Sequence, residues 1–205
     1  MLERFARPVA RVEMAKSFTS EAKVPPTLQP ATIMKPTVAL LRAVNVGGTG
    51  KLPMVELKAM CESCGFEQVK TYIASGNVVF LTKQSEAQVK KALEAKLEAY
   101  AGKPVGVMVR GEKELQKILA DQPFPDAAPN RITVTFLDKK PPANAAAEAT
   151  NVKDEEIRTG RRELYIHYGS GMASSRLKVP AAQHGTARNI NTVTKLVGLL
   201  AALER

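Results

Sequence analysis

A dense apolar run, Val38 to Val46, stops abruptly at Gly47 and Gly48, and a basic turn then leads through Pro53 into an amphipathic segment. This is the pattern of a buried strand passing through a glycine loop into a helix, and a buried strand must find partners in the chain that follows. Met54 to Cys64 carries Val55, Leu57, Met60 and Cys61 near helical spacing, opened by Pro53 and closed by Gly65. Val69 to Ala74 and Val78 to Leu81 are β-rich runs separated by Ser75, Gly76 and Asn77, a tight hairpin signal. From Ser85 to Tyr100, Val89, Leu93 and Leu97 recur every fourth residue among Lys and Glu, which predicts an amphipathic helix with Ser85 as its N-cap. Pro104 to Val109 alternates into a fourth strand. The order β-α-β-β-α-β from Thr37 to Arg110 predicts an α+β fold with a ferredoxin-like, split βαβ first half.

The remainder repeats that grammar less cleanly. Glu112 to Ala120 reads as a helix, and Arg131 to Leu137 as a strand with Ile132, Val134 and Phe136 on one face and Thr133 and Thr135 on the other. Alanine-rich Pro141 to Ala149 suggests a short helix. Asp154 to Arg158 and Glu163 to Tyr168 suggest a hairpin turning at Thr159-Gly160. After an irregular stretch from Ser170 to Thr186, Thr192 to Leu203 forms the last helix, buried through Val193, Leu196, Val197 and Leu200. The expected organisation is a flexible N-terminal tail over residues 1–35, a ferredoxin-like subdomain over 36–110, and a second, degenerate α/β subdomain over 111–205 packed on the first. Pro25, Pro26, Pro30 and Pro36 support the tail, and a product starting at Met34 is expected to be a complete domain.

The charge balance limits the partners. Lys plus Arg number 30 against 20 for Asp plus Glu, a net charge of +10, which favours encounter with nucleic acid, anionic lipid or phosphorylated ligands without specifying a site. With no Trp and 5% aromatic residues there is little material for base-stacking platforms. Cys61 and Cys64 are the only cysteines, so a disulfide framework is excluded and a reducing, cytoplasmic compartment is expected. No stretch reaches the roughly 18 apolar residues of a membrane span.

The motifs LLRAVNVGG (Leu40 to Gly48), YIASGNVVF (Tyr72 to Phe80), LYIHYGSGM (Leu164 to Met172), SRL (Ser175 to Leu177) and TARNINTV (Thr186 to Val193) resemble, in order, those of the bacterial family called domain of unknown function 1697. The resemblance spans Lys35 to Leu200. Arg176 stands where a Lys is typical and keeps the charge, whereas Ile190 stands where a Trp is typical and removes an aromatic. The resemblance implies a fold of ferredoxin-like character and carries no activity with it.

Gly47 to Lys51 (GGTGK) invites a P-loop reading, which fails because Asn45 stands at the first glycine position and Leu52 where a magnesium-binding Ser or Thr is required. The glycine spacing does not suit a dinucleotide turn either. A simple chain turn is one reading that remains; the other is an anion cradle of backbone N–H groups with Lys51 near a helix N-terminus. In a split βαβ the first and second strands are parallel with the third between them, which places the Gly47 loop and the Ser75 turn at the same sheet edge, roughly 10 Å apart. Asn45, Gly47, Gly48, Lys51, Ser75 and Asn77 would then line one rim. Arg42, a charge among apolar neighbours, calls either for a ligand or for an ion pair with Glu56 or Glu94.

A second concentration of anion-binding side chains comprises Ser175 and Arg176, then Arg188, Asn189, Thr192 and Lys195, with Asn191 or Thr192 as candidate caps of the last helix. The CxxC of Cys61 and Cys64 lies at the wrong end of its helix for a stabilised thiolate, so structural thiols are expected. His167 and His184 are too widely separated to complete a metal site, and neither a metal nor a cofactor is expected. His167 shares a strand face with Tyr165. No nucleophile and base pair stands out. Three functions remain open: a non-catalytic binding module for an anionic partner, either a phosphorylated small molecule or a nucleic-acid backbone; an enzyme acting on an anionic substrate; and a self-associating interaction protein forming a homodimer.

Overall fold

The computed structural model describes residues 33–45 and 51–204, so most of the expected tail, and Gly47 and Gly48 of the glycine loop, lie outside the described residues. Strands β1 (Lys35–Leu41), β2 (Glu67–Tyr72), β3 (Asn77–Thr82) and β4 (Val107–Gly111) form one sheet in the order β2-β3-β1-β4. Every neighbouring pair is antiparallel, so β1 and β2 run parallel with β3 between them, as the strand order in the sequence predicts. Alternation along the strands divides the apolar residues between two layers. Ala39, Leu41, Val78, Phe80, Val107 and Val109 pack under helices α1 (Met54–Ser63) and α2 (Glu86–Ala101), which contribute Leu57, Cys61, Val89, Leu93 and Leu97.

The opposite face, Val38, Leu40, Val79, Leu81 and Met108, meets helices α3 (Glu112–Ala120) and α4 (Ile190–Ala201) and the inner face of a second sheet. That sheet comprises β5 (Ile132–Phe136), β6 (Glu155–Thr159), β7 (Glu163–Tyr168) and β8 (Thr186–Asn189), antiparallel in the order β6-β7-β5-β8. Ile132, Val134, Phe136 and Tyr165 face the shared core, and the Tyr165 hydroxyl donates to the Ile118 carbonyl of α3 at 2.9 Å. The outer face, with Leu164 and Ile166, lies under irregular chain that supplies Ala145, Leu177 and Val179 in place of helices.

Local chemistry fixes the ends of these elements. Ser85 caps α2 in a capping box, with Gln88 Oε1 accepting from the Ser85 N–H at 2.9 Å, and Gly102 ends the helix in the left-handed conformation at φ 67°. The cap of α4 is Asn189, not Asn191 or Thr192: its side chain accepts from the Asn191 N–H at 2.9 Å, and the helix begins at Ile190, two residues before the start at Thr192 that the sequence suggests. Pro141 to Ala149 forms successive turns with mixed bonding, Ala145 N–H to Pro142 O and Glu148 N–H to Asn144 O, in place of the expected short helix.

The two sheets share more than a strand order. Val38 lies opposite Arg110 and Leu40 opposite Asn77 in the first; Val134 lies opposite Arg188 and Phe136 opposite Glu163 in the second. Arg110 and Arg188 therefore occupy equivalent places on edge strands, and each reaches across to the other sheet. Arg188 donates to the Leu41 carbonyl at 2.7 Å and the Ser75 carbonyl at 2.9 Å, and Arg110 to the Leu137 carbonyl at 2.5 Å and the Arg162 carbonyl at 2.9 Å. Each arginine thus ties the end of a central strand and a hairpin turn of the opposite half.

Candidate functional site

The end of β1 is built as a knot. The Leu41 N–H donates to the Gly76 carbonyl and the Arg42 N–H to the Gly106 carbonyl, both at 2.8 Å, which joins the strand to the β2–β3 turn on one side and the lead-in to β4 on the other. Asn45, at φ 57°, donates through Nδ2 to the Ala74 carbonyl at 2.7 Å and the Leu52 carbonyl at 2.9 Å, while its Oδ1 accepts from the Leu52 N–H at 2.7 Å. An asparagine tolerates that left-handed conformation and adds the side-chain amide that sews the loop shut. The loop after β1 and the β2–β3 turn therefore lie at the same sheet edge.

Beside this knot opens a cavity of about 580 Å³. Its surface is mixed, and the apolar share comes from Val44 and Leu52 of the loop, Leu97 and Ala101 of α2, Pro104 and Val105 before β4, and the half-exposed Tyr100. Three exposed cations line it as well, Arg42, Lys51 and Lys103. No Asp, Glu, His, Cys or Ser is among its described lining residues. Among the described residues, none of the three cations has a carboxylate partner. Arg42 is held instead by a neutral contact, donating from one terminal nitrogen to the Gln183 carbonyl at 2.7 Å. It is not paired with Glu56 or Glu94; the Glu94 carboxylate accepts from the Val107 N–H at 3.1 Å and pairs with Lys90.

The other residues named from the sequence divide by position. Asn77 is fully buried, donating to the Tyr72 carbonyl at 3.0 Å and Ser75 Oγ at 2.9 Å, and its Oδ1 accepts from Arg188 Nε. Arg188 sends its remaining N–H groups to the Leu41, Ser75 and Ala187 carbonyls and Thr186 Oγ1, so the described contacts engage every donor it has. Burial without a facing carboxylate pushes its pKa down to about 10. Asn77 and Arg188 thus stand behind the knot as its structural support.

Ser175 and Asn189 lie at the far end of the second sheet. Ser175 donates to Glu155 at the start of β6, and Asn189 pairs with Thr133 near the start of β5, whereas Thr186, at the near end, donates to the Leu41 carbonyl. Arg176 and Lys195 are exposed, Thr192 is half-buried on α4, and Ile190 is buried in the shared core. The structure therefore gathers Arg42, Asn45, Lys51 and Ser75 around one edge, with Asn77 and Arg188 behind them, and leaves the Ser175 and Asn189 groups elsewhere.

Lys103, Tyr100 and Val105 are the cavity residues that sequence reasoning passed over. A Lys immediately after a glycine-capped helix was the available signal for the first. Leu97 was legible only as core, because its helical spacing is that of any buried stripe.

The remaining chemically active groups are occupied or inert. Burial, with help from Cys64 and Glu62, pushes the Cys61 thiol up to about 12, as suits a structural cysteine. His167 packs against Phe124, ring centroids 5.5 Å apart, on the same strand face as Tyr165. Among the described residues, no group of three or more His, Cys, Asp or Glu is placed to hold a metal ion, and no helix is long and apolar enough to cross a membrane.

A family model described as "Protein of unknown function (DUF1697)" matches residues 34–165. The chain belongs to this family. The match takes in the whole knot at the end of β1 and every described residue lining the cavity. This member of the DUF1697 family is a mixed α+β protein with two antiparallel four-stranded sheets. A solved structure, that of conserved bacterial protein SP0830 from Streptococcus pneumoniae, is similar to 82% of this chain and 99% of its own, at 25% sequence identity and a TM-score of 0.68. No match was found among the curated proteins.

Proposed function

We propose that this protein is a non-catalytic binding module for a small ligand bearing a phosphate or carboxylate, held at the cavity beside the end of β1. One observation carries the reading: Arg42, Lys51 and Lys103 converge on one cavity that no described acidic residue lines. Uncompensated cations on low-dielectric walls focus their field into the mouth and raise the local concentration of anions. The arginine, anchored at one terminal nitrogen, keeps its other donors for a carboxylate or phosphate oxygen.

The same structure weighs against a nucleic acid held by base stacking on the first sheet. Phe80, the aromatic that the third strand could offer for base stacking, lies beneath the helices and stacks on Phe66 at 4.3 Å, and the other face of its sheet is covered by the second half. Isothermal titration of the full chain with inorganic phosphate at low ionic strength tests the proposal. Saturable binding that disappears in the Arg42→Ala/Lys51→Ala/Lys103→Ala variant is expected, along with no comparable binding of a single-stranded DNA oligonucleotide. Phosphate binding that survives the triple substitution, or its absence from the parent protein, overturns the reading.

We also infer that each half is a ferredoxin-like unit, 36–110 and 111–205, the second having lost its two covering helices. Support comes from the strand order β2-β3-β1-β4 with α1 and α2 on one face, and from its recurrence as β6-β7-β5-β8.

A further inference from the structure

We propose that the ligand of this cavity is amphipathic: an anionic head at Arg42, Lys51 and Lys103 on an alkyl or aryl body lying against Tyr100, Ala101, Pro104 and Val105, the apolar lining residues that keep accessible surface. The inference rests on the anion-binding reading above and adds what the wall requires. At about 580 Å³ the cavity falls within the range of about 300–1,000 Å³ typical of sites that enclose an organic ligand, and is far larger than an inorganic anion needs. Beyond the cations and the Tyr100 hydroxyl, its described side chains offer no hydrogen-bonding group. A sugar or nucleoside hydroxyl turned toward Pro104, Ala101 or Val105 finds no side-chain partner, and each hydroxyl so orphaned costs about tenfold or more in affinity. A hydrocarbon body incurs no such cost and gains from leaving water.

The mouth itself is amphipathic. The stem of Arg42 lies along Gly106, where a Cβ would stand 3.7 Å from Arg42 Cβ and 3.8 Å from Cδ, so aliphatic carbon continues from the wall to the charged group. The Gln183 carbonyl on the opposite half fixes the guanidinium at 2.7 Å, so the head site is set by the packing of the two halves. Lys51 and Lys103 line the cavity from the loop after β1 and from the turn after α2.

Titration of the full chain with inorganic phosphate, butyl phosphate, octyl phosphate, octanol and a hexose phosphate, each below its aggregation concentration, separates the parts. Affinity is expected to rise about fourfold for each methylene that enters the cavity, so octyl phosphate should exceed butyl phosphate by as much as about 10²-fold. Octanol should bind far more weakly than octyl phosphate, and the hexose phosphate no better than inorganic phosphate.

Ala101→Leu, at an exposed position on the wall, serves as the folded control: it should keep inorganic phosphate binding and lose the gain with chain length. Equal affinity for octyl and inorganic phosphate, or tighter binding of the hexose phosphate, overturns the amphipathic inference and leaves the anion reading standing. Octanol binding as tightly as octyl phosphate, or no binding of any phosphate, overturns both. A chain-length gain undiminished in Ala101→Leu places the tail outside this cavity and overturns the inference.

Discussion

Replacing Arg188 by Leu tests whether a buried arginine bound to neutral acceptors holds the two halves together. The residue is 8% exposed and sends donors to Leu41, Ser75, Asn77, Thr186 and Ala187, with a longer contact to the Gly76 carbonyl at 3.4 Å. These acceptors do not all lose equally. The Leu41 carbonyl keeps the Thr186 hydroxyl at 3.2 Å, the Gly76 carbonyl keeps the Leu41 N–H at 2.8 Å, and the Ala187 carbonyl belongs to an exposed residue. The Ser75 carbonyl and Asn77 Oδ1 are left without a described donor. Two orphaned acceptors at about 1–3 kcal/mol each give a loss of about 2–6 kcal/mol.

Relief from burying a charge offsets part of that loss, since desolvation alone lowers the Arg188 pKa to about 10. A net destabilisation of about 3 kcal/mol is expected for Arg188→Leu, measured by urea unfolding followed by far-UV circular dichroism because the chain has no Trp. The partner substitution Asn77→Ala should couple to it by about 1 kcal/mol or more in a double-mutant cycle. A loss below about 0.5 kcal/mol, or strict additivity with Asn77→Ala, would refute the assignment of this arginine as the tie.

Gly76→Ala should destabilise by about 2–4 kcal/mol, because φ is +75° and a Cβ would stand 2.5 Å from Val44 Cγ2 and 2.8 Å from Leu41 Cβ; an unchanged melting temperature would contradict this. At about pH 8 a disulfide thiol probe should label Cys64 before Cys61, whose thiol burial holds near 12, and labelling of both at equal rates in the folded protein would show that α1 is not packed as described. The Ser175 hydroxyl and the Lys153 N–H hold the Glu155 carboxyl below its usual 4.5, so the folded state binds fewer protons than the unfolded one between the two values. The stability lost in Ser175→Ala should therefore be full above the unfolded pKa and shrink as pH falls through the lowered folded one, whereas a difference constant down to low pH would dissociate Ser175 from that carboxyl.

The first half was legible in the sequence because its signals are local. A Ser85 cap, a four-residue apolar spacing in α2, the dense apolar runs of β1 and β3 and the alternation into β4 each specify an element without help from distant chain. The second half was read only as degenerate because its covering layer is irregular: Ala145, Leu177 and Val179 bury the outer face from turns that carry no periodicity. Arg42, Asn45 and Ser75 were placed together correctly because strand order brings one loop and one turn to the same edge. Arg188 and Asn77 looked like ligand residues for the reason that makes them good ties: a fork of donors and a two-way amide serve backbone carbonyls as well as they serve an anion. Burial alone distinguishes the uses, and burial at 111 residues' separation has no local signature.

The matching registers of the two sheets offer an internal comparison for the cavity. Arg42 and Asp138 each stand four residues beyond equivalent positions, Val38 and Val134, and each binds a group from the opposite half. At Asp138 that group is Lys90 on α2, whose ammonium donates to both carboxylate oxygens at 2.9 and 2.8 Å. Burial works against the Lys90 charge, but its bonds to Asp138 and Glu94 outweigh that and raise its pKa. The charge at the end of β5 is thus neutralised within the fold, while at the end of β1 the same architecture meets Arg42 with a neutral carbonyl and adds Lys51 and Lys103 to the same cavity. A cation needed only to join the halves could have been met by a carboxylate, as the other end demonstrates. Among the described residues no carboxylate meets Arg42 at the end of β1, and that difference between the two ends is what motivates the proposal of an anionic ligand there.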